Sequence, residues 1–234
     1  MSLLSLLGMQ ETASIDALAA ENIKEKIIDV HLLPRYDDVM QLMRLLRGNG
    51  TRGEGRSAWV GFCNGYDIYH THTVEFVDEL AGEIRKLGHG PAVEVCAGNG
   101  KLSYHLRQRG IDIRPTDIYT SQNSRDSSLV EKLSCIEALK KYNPRIVVAS
   151  WICSDSNIIG IDIMKFPSVK YFIHIQHYNG ANDSWLTLKA EDTAKIFKLQ
   201  SSRLRGIEQY GICGSDYHDI QKHTRVVLVK KPGI

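Results

Sequence analysis

Between residues 14 and 47 apolar side chains return at helical spacing, at Ile15, Leu18, Ile23, Ile27, Ile28, Val39, Leu42, Met43 and Leu46. The pattern breaks at Leu33-Pro34, where proline has no N–H to donate and its ring clashes with the preceding turn, so helices are expected on either side. GNGTRGEGR (48–56) is rich in glycine and charge and predicts a linker or mobile loop. A further helix, from about Thr71 to Leu87, presents Val74, Val77, Leu80, Ala81 and Ile84 on one face.

After GHGP (88–91) the period changes. Short β-rich runs alternate with helical stretches: AVEVCA then KLSYHLRQR, IDIRPTD, VEKLSC then IEALKKY, RIVVASW, and VKYFIHIQ. Such alternation predicts βαβ units and a parallel sheet covered on both faces. Towards the C-terminus GIEQYGICGSD and RVVLVKK follow one another with only a loop between them, too short for a helical crossover, and predict an antiparallel hairpin.

Charge narrows the function little. The 29 basic and 27 acidic residues are spread along the chain, leaving no basic stretch for a nucleic-acid groove. Five scattered cysteines without a CxxC pair argue against a disulfide framework or a zinc site of usual spacing and favour a reducing, cytoplasmic setting. The opening MSLLSLLGMQ lacks a basic leader and no run of 18 apolar residues occurs, so neither export nor a membrane span is expected.

The chemistry concentrates in VEVCAGNGKLSYHL (93–106). In a doubly wound sheet the first strand ends in a turn that approaches a ligand closely, and Gly98 and Gly100 suit that turn, with a helix starting at Lys101. Dinucleotides and S-adenosylmethionine both use such a turn. Glu94 separates them: an acidic group there helps neither a pyrophosphate nor strand burial, whereas it favours the amino group of a methionyl end.

Here the sequence resembles the class I S-adenosylmethionine-dependent methyltransferases, whose first motif has an acidic residue, a spacer and glycines at alternate positions. It stands as Glu94-Val95-Cys96-Ala97-Gly98-Asn99-Gly100, with Cys96 in place of the usual first glycine. The resemblance covers roughly Tyr66 to the C-terminus. It implies an α/β, doubly wound, Rossmann-like, seven-stranded and mostly parallel sheet of order 3-2-1-4-5-7-6, with an antiparallel C-terminal hairpin. Residues 1–60 would form an N-terminal helical cap and glycine-rich loop, and 61–234 the methyltransferase-like domain.

The resemblance also distributes roles. Asp117, 17 positions after Gly100 at the expected end of the second strand, would accept from ribose hydroxyls, with Ile118 beside it. An acidic residue there also suits a nicotinamide dinucleotide. Cys135, at the expected end of the third strand, would lie at the adenine, and Ser150-Trp151, ending the fourth, beside the transferring methyl. Tyr66 and Tyr69 belong to a segment that often folds over the methionyl end, where aromatic rings can attract a sulfonium, although they equally suit packing at a helix start.

Methyl transfer is an in-line displacement, so positioning matters most and a base is needed only where the acceptor holds a proton. Substrate should lie over the C-terminal ends of the fourth and fifth strands. That selects SWICSDSN (150–157) and HIQHYNGANDSW (174–185), from which His177 and Asp155 are the catalytic candidates. His70, His72, His174 and His177 lack a metalloenzyme spacing, and no metal is expected. The fourth motif lacks the Asn/Asp-Pro-Pro-Tyr/Phe pattern of methyltransferases acting on DNA bases. That argues against a DNA base and leaves RNA or protein open; a small-molecule acceptor is expected, with S-adenosylhomocysteine as the coproduct and no DNA or membrane partner. The alternatives are a noncatalytic cofactor-binding or scaffold protein of the same fold, and an NAD-dependent oxidoreductase.

Overall fold

The computed structural model describes residues 17–47, 52–118, 127–150, 152, 159–176, 195–198, 207–208 and 225–231. The chain begins with three helices, α1 (17–28), α2 (Tyr36–Arg47) and α3 (Arg52–Gly65). The break at Leu33-Pro34 falls between α1 and α2, as proline requires. Ile23 and Ile27 of α1, Val39, Leu42 and Met43 of α2, and Trp59 and Cys63 of α3 bury one another in a small core.

That core corrects the reading of 52–56 as a loop, because α3 is helical from Arg52 onward, while 48–51 lie outside the described residues. Glycine weakens a helix through backbone entropy, but packing of an apolar face outweighs propensity. Trp59 and Cys63, one helical turn apart, are 1% and 0% exposed. α3 also runs through residue 60, the expected boundary of the cap.

A short strand, β1 (His70–Thr71), precedes α4 (Val74–Lys86), which starts three residues later than the periodicity suggests. Thr73 determines that start: its backbone is extended and its hydroxyl accepts from the Phe76 N–H at 3.2 Å, the geometry of an N-cap. Then follow β2 (Ala92–Val95), α5 (Lys101–Arg107), β3 (Ile113–Asp117), β4 (Glu131–Lys132), α6 (Cys135–Tyr142), β5 (Ile146–Ser150), α7 (Ile159–Lys165), β6 (Tyr171–Gln176), β7 (Lys195–Lys198), β8 (Ile207–Glu208) and β9 (Arg225–Lys230).

The main sheet has seven strands in the order β4-β3-β2-β5-β6-β9-β7. Numbered along the sheet strands alone, this is 3-2-1-4-5-7-6, the order the family resemblance implies. Strands β2 to β6 pair in parallel, and β9 runs antiparallel to both β6 and β7. The sheet is Rossmann-like. Pro115 sits inside β3, yet pairing with β4 begins only at Thr116, so its missing N–H interrupts no ladder there.

Two strand expectations are corrected. The partner of β9 is β7, from the stretch KIFK, whereas β8, from GIEQYGICGSD, leaves the main sheet and pairs antiparallel with β1. The third strand is only Glu131–Lys132, and Cys135 is the first residue of α6. Ser134 stops the strand: its hydroxyl accepts from the Glu137 N–H while the Glu137 carboxylate accepts from the Ser134 N–H, a capping box that starts the helix.

Alternation along the strands builds a core on each face. Ala92, Ile113, Ile146, Val148, Ile173 and Ile175 meet α4 and α5 through Phe76, Leu80, Leu102 and Leu106. Val93, Val95, Val147, Ala149 and Phe172 meet α6 and α7 through Leu139 and Ile163. Each fully buried Leu or Phe contributes about 1.5–3 kcal/mol, and this two-sided burial fixes the register that aligns the C-terminal ends of β2, β3 and β5.

Candidate functional site

β2 lies between β3 and β5, so the crevice at its C-terminal end is the topological switch point of the sheet, where open α/β folds bind ligands. The chain leaves β2 through a tight turn in which Cys96, Gly98 and Gly100 all have positive φ, at 55°, 56° and 78°. For Cys96 the left-handed conformation costs on the order of 1–2 kcal/mol, and such strain persists where the surroundings enforce it. The two glycines serve different ends. A Cβ on Gly98 would meet nothing within 4 Å, whereas one on Gly100 would stand 2.7 Å from Val130 Cγ2.

The turn is tied to the end of β3. The Ala97 N–H donates to the Thr116 carbonyl at 3.1 Å, the Gly98 N–H to Asp117 Oδ2 at 2.9 Å, and the Thr116 hydroxyl to the Glu94 carbonyl at 3.0 Å. The acidic residue expected at the end of the second sheet strand therefore lies against the glycine turn.

Glu94 is 1% exposed, and its Oε2 accepts from the Ser103 N–H at 3.0 Å and from the Ser103 hydroxyl at 2.5 Å. An unpartnered buried carboxylate would be costly, and Ser103, in the first turn of α5, offsets part of that penalty. Burial still pushes the Glu94 carboxyl up to about 7; the two Ser103 bonds oppose this and the Asp117 charge reinforces it.

Three of the amides around the start of α5 are engaged. The Gly100 N–H donates to the Ala97 carbonyl at 2.9 Å, the Lys101 N–H to Asn99 Oδ1 at 3.1 Å and the Ser103 N–H to Glu94. A helix N-terminus binds an anion through such unpaired N–H groups. Here those three face side-chain and backbone acceptors, one of them a carboxylate.

Three contributors lie beyond sequence reasoning. Ser103, the partner of Glu94, is one. Lys101 is the second: it is 5% exposed, and its ammonium donates to the carbonyls of Lys26, Ile27 and Asp29 at 2.7, 2.8 and 2.7 Å. Burial pushes this amine down to about 7, with Asp29 opposing. The third is His105, 7% exposed and pushed down to about 4 by burial, with Lys101 and Arg109 acting in the same direction. The only signal for these is polar residues at helical positions otherwise facing the core.

The remaining candidates are dispersed. Ile118, 47% exposed, follows Asp117 directly. Cys135 is half-buried at the start of α6, its thiol pushed up to about 12 by burial and by Asp162. Ser150 ends β5, just past the pairing of Val95 with Ala149, and so flanks the switch point opposite Asp117. Tyr66 and Tyr69 are 46% and 52% exposed, and Tyr66 follows α3 with its ring 5.4 Å from that of Phe62, away from any helix start. His70 and His72 share a hydrogen bond between their Nδ1 atoms at 2.9 Å and pack on Phe76. Burial pushes His70 down to about 3 and His72 well below its ordinary range. His174 is buried on β6, its ring stacked on Phe172. Trp151, Asp155 and His177 lie outside the described residues. Among the described residues no group of three or more His, Cys, Asp or Glu is placed to hold a metal ion, and no helix is long and apolar enough to cross a membrane.

No protein-family model and no curated protein sequence matches the chain. Solved structures do resemble it. A ribosomal protein L11 methylase from Lactobacillus delbrueckii subsp. bulgaricus is 13% identical with a TM-score of 0.44, over 70% of this chain and 81% of that one. A magnesium protoporphyrin IX methyltransferase from Synechocystis PCC 6803, with bound S-adenosylmethionine, is 13% identical with a TM-score of 0.42, over 66% and 77%. A protein of the NADB-Rossmann superfamily from Streptococcus agalactiae is also 13% identical, with a TM-score of 0.42 over 68% and 69%. These likenesses concern the fold alone.

Proposed function

We propose that the turn from Glu94 to Gly100 binds S-adenosylmethionine and that the protein transfers its methyl group to a small-molecule acceptor. The observation that carries this reading is the engagement of the α5 amides. A dinucleotide needs unpaired N–H groups at that helix start to receive its pyrophosphate, and here Asn99 and Glu94 accept from two of them. Glu94 also places a carboxylate beneath the same helix turn, which repels an anion and attracts a cationic methionyl end.

The residues fit such a ligand. Gly98 leaves open space where a side chain would otherwise stand. Asp117, held at the turn by the Gly98 N–H, offers a charged acceptor for ribose hydroxyls, and Ile118 an exposed apolar side chain for a base. Cys96, Ala97 and Asn99 shape the turn, and Cys135, the first residue of α6, and Ser150, the last of β5, belong to the proposed set. Tyr66, Tyr69 and Trp151 complete the proposed set, with aromatic faces suited to a sulfonium. When bound, the cofactor supplies an electrophilic methyl on sulfur. The chain positions the acceptor, excludes water and, where the acceptor carries a proton, removes it. His177, next after the last residue of β6, and Asp155 are the proposed bases.

Incubating the protein with methyl-labelled S-adenosylmethionine and a small-molecule extract tests this directly. Label should move into a low-molecular-weight product in step with released S-adenosylhomocysteine. Tight cofactor binding with no transfer to any fraction would instead support a noncatalytic binding protein.

A further inference from the structure

Lys101 belongs to two parts of the molecule at once. Its backbone follows Gly100 in the ligand turn, and its N–H is held by Asn99 Oδ1. Its side chain reaches 72–75 residues back to the carbonyls of Lys26, Ile27 and Asp29. Those carbonyls lie where α1 ends, at groups a helix leaves without partners, in the negative field of its C-terminus. An ammonium has three donors to distribute. Three acceptors at 2.7–2.8 Å satisfy them all, as burying the charge requires.

The contact continues along α5. The Tyr104 ring stands edge-on to that of His31 at 4.7 Å. Segment 26–32 thus lies along the helix that the ligand turn begins. α2 is attached elsewhere: the Tyr36 N–H donates to Glu75 Oε2 at 2.9 Å, and the Val74 N–H to the Pro34 carbonyl at 3.0 Å. Removing the Lys101 ammonium therefore loosens the junction at 26–32 and leaves other attachments of the N-terminal helices in place.

We propose that Lys101 is a positioning residue that couples the ligand turn to the N-terminal helices, so that occupancy of the turn and docking of segment 26–32 favour one another. This rests on the reading of the turn as an S-adenosylmethionine site. A ligand that orders Gly98 to Gly100 fixes the origin of the Lys101 side chain and so its aim at the three carbonyls. By reciprocity the docked segment strengthens ligand binding by the same factor. The N-terminal helices are then set by cofactor occupancy before an acceptor arrives.

The test is amide hydrogen exchange on the full chain with and without S-adenosylhomocysteine, beside calorimetric titration, for wild type, Lys101→Met and Lys101→Arg. In wild type the ligand should slow exchange across residues 21–32. In Lys101→Met that slowing should vanish and affinity should fall by about 5- to 150-fold, the ordinary range of coupling between sites. Lys101→Arg should resemble Lys101→Met, because a planar guanidinium cannot direct donors into three carbonyls arranged around a point. Wild type that binds the ligand with no change across 21–32 overturns the coupling, whether or not the variants fold, and so does a folded Lys101→Met that keeps both slowing and affinity. Wild type that does not bind the ligand at all overturns the cofactor reading, and the coupling with it.

Discussion

Glu94 is the residue on which the chemistry turns. Its burial in β2 is legible in the sequence, because it interrupts an apolar strand directly before a glycine turn. Its partner is not, since Ser103 meets it only through the orientation of α5 over the sheet. Glu94→Gln keeps an acceptor for Ser103 and deletes the charge, so apo stability below about pH 4.5, where both side chains are neutral, should change by about 1 kcal/mol or less, while cofactor affinity near pH 7 falls by about tenfold, the lower part of what a charge-assisted contact is worth. The pH dependence has a definite sign. A carboxyl whose folded pKa is raised from its ordinary 4.5 to about 7 contributes stability that is fully present below pH 4.5 and lost as pH rises to about 7. Denaturant melts of both proteins across that window should therefore show wild type losing ground to Glu94→Gln by up to about 3 kcal/mol, since each pH unit separating the folded and unfolded pKa is worth about 1.4 kcal/mol. Asp117→Ala should weaken cofactor binding by about 1–3 kcal/mol, through a lost charged acceptor and a released Gly98 N–H. Unchanged affinity in a folded variant would remove Asp117 from the site.

Among the elements, the turn and its two glycines give the sharpest contrast. Gly100→Ala drives a methyl group into Val130 while holding φ at 78°, so it should destabilise the fold by about 2 kcal/mol or more. Gly98→Ala meets open space and bears only the cost of its left-handed backbone, about 1 kcal/mol, but it places a methyl where the ligand approaches. Thermal melts and ligand titration of the pair should separate the roles: Gly100→Ala loses stability first, Gly98→Ala loses affinity first. The strands and helices that carry the turn follow the hydrophobic alternation, which is why β2, β3, β5 and β6 fall within the predicted runs. The failures have particular causes. Glycines in 48–56 suggest a loop, yet the buried face of Trp59 and Cys63 holds α3 together. β7 escapes sequence reading because KIFK is four residues long and bounded by lysines, a composition that suits an edge strand and carries little apolar signal. β8 is misplaced by sequence because alternation shows that a segment is a strand without naming the strand it joins.

For the whole molecule, strand order and ligand crevice follow from alternation together with the family resemblance, while the packing of the N-terminal helices against α5 does not. The contact between segment 26–32 and Lys101 joins residues more than 70 positions apart, and a lone lysine after a glycine reads in sequence as an ordinary solvated helix start. The sheet supplies the switch point, β3 supplies Asp117 against the turn, and α5 presents Lys101 and Ser103 amides that are already paired. On the proposed reading, these features favour a cationic amino acid end over a pyrophosphate. Isothermal titration of the full chain with S-adenosylhomocysteine and, separately, with NAD and NADH weighs that selection most directly. The site predicts micromolar binding of S-adenosylhomocysteine, a matching rise in melting temperature because the ligand is selective for the native state, and weak or no binding of either nicotinamide nucleotide. Tighter binding of NAD or NADH than of S-adenosylhomocysteine would contradict it.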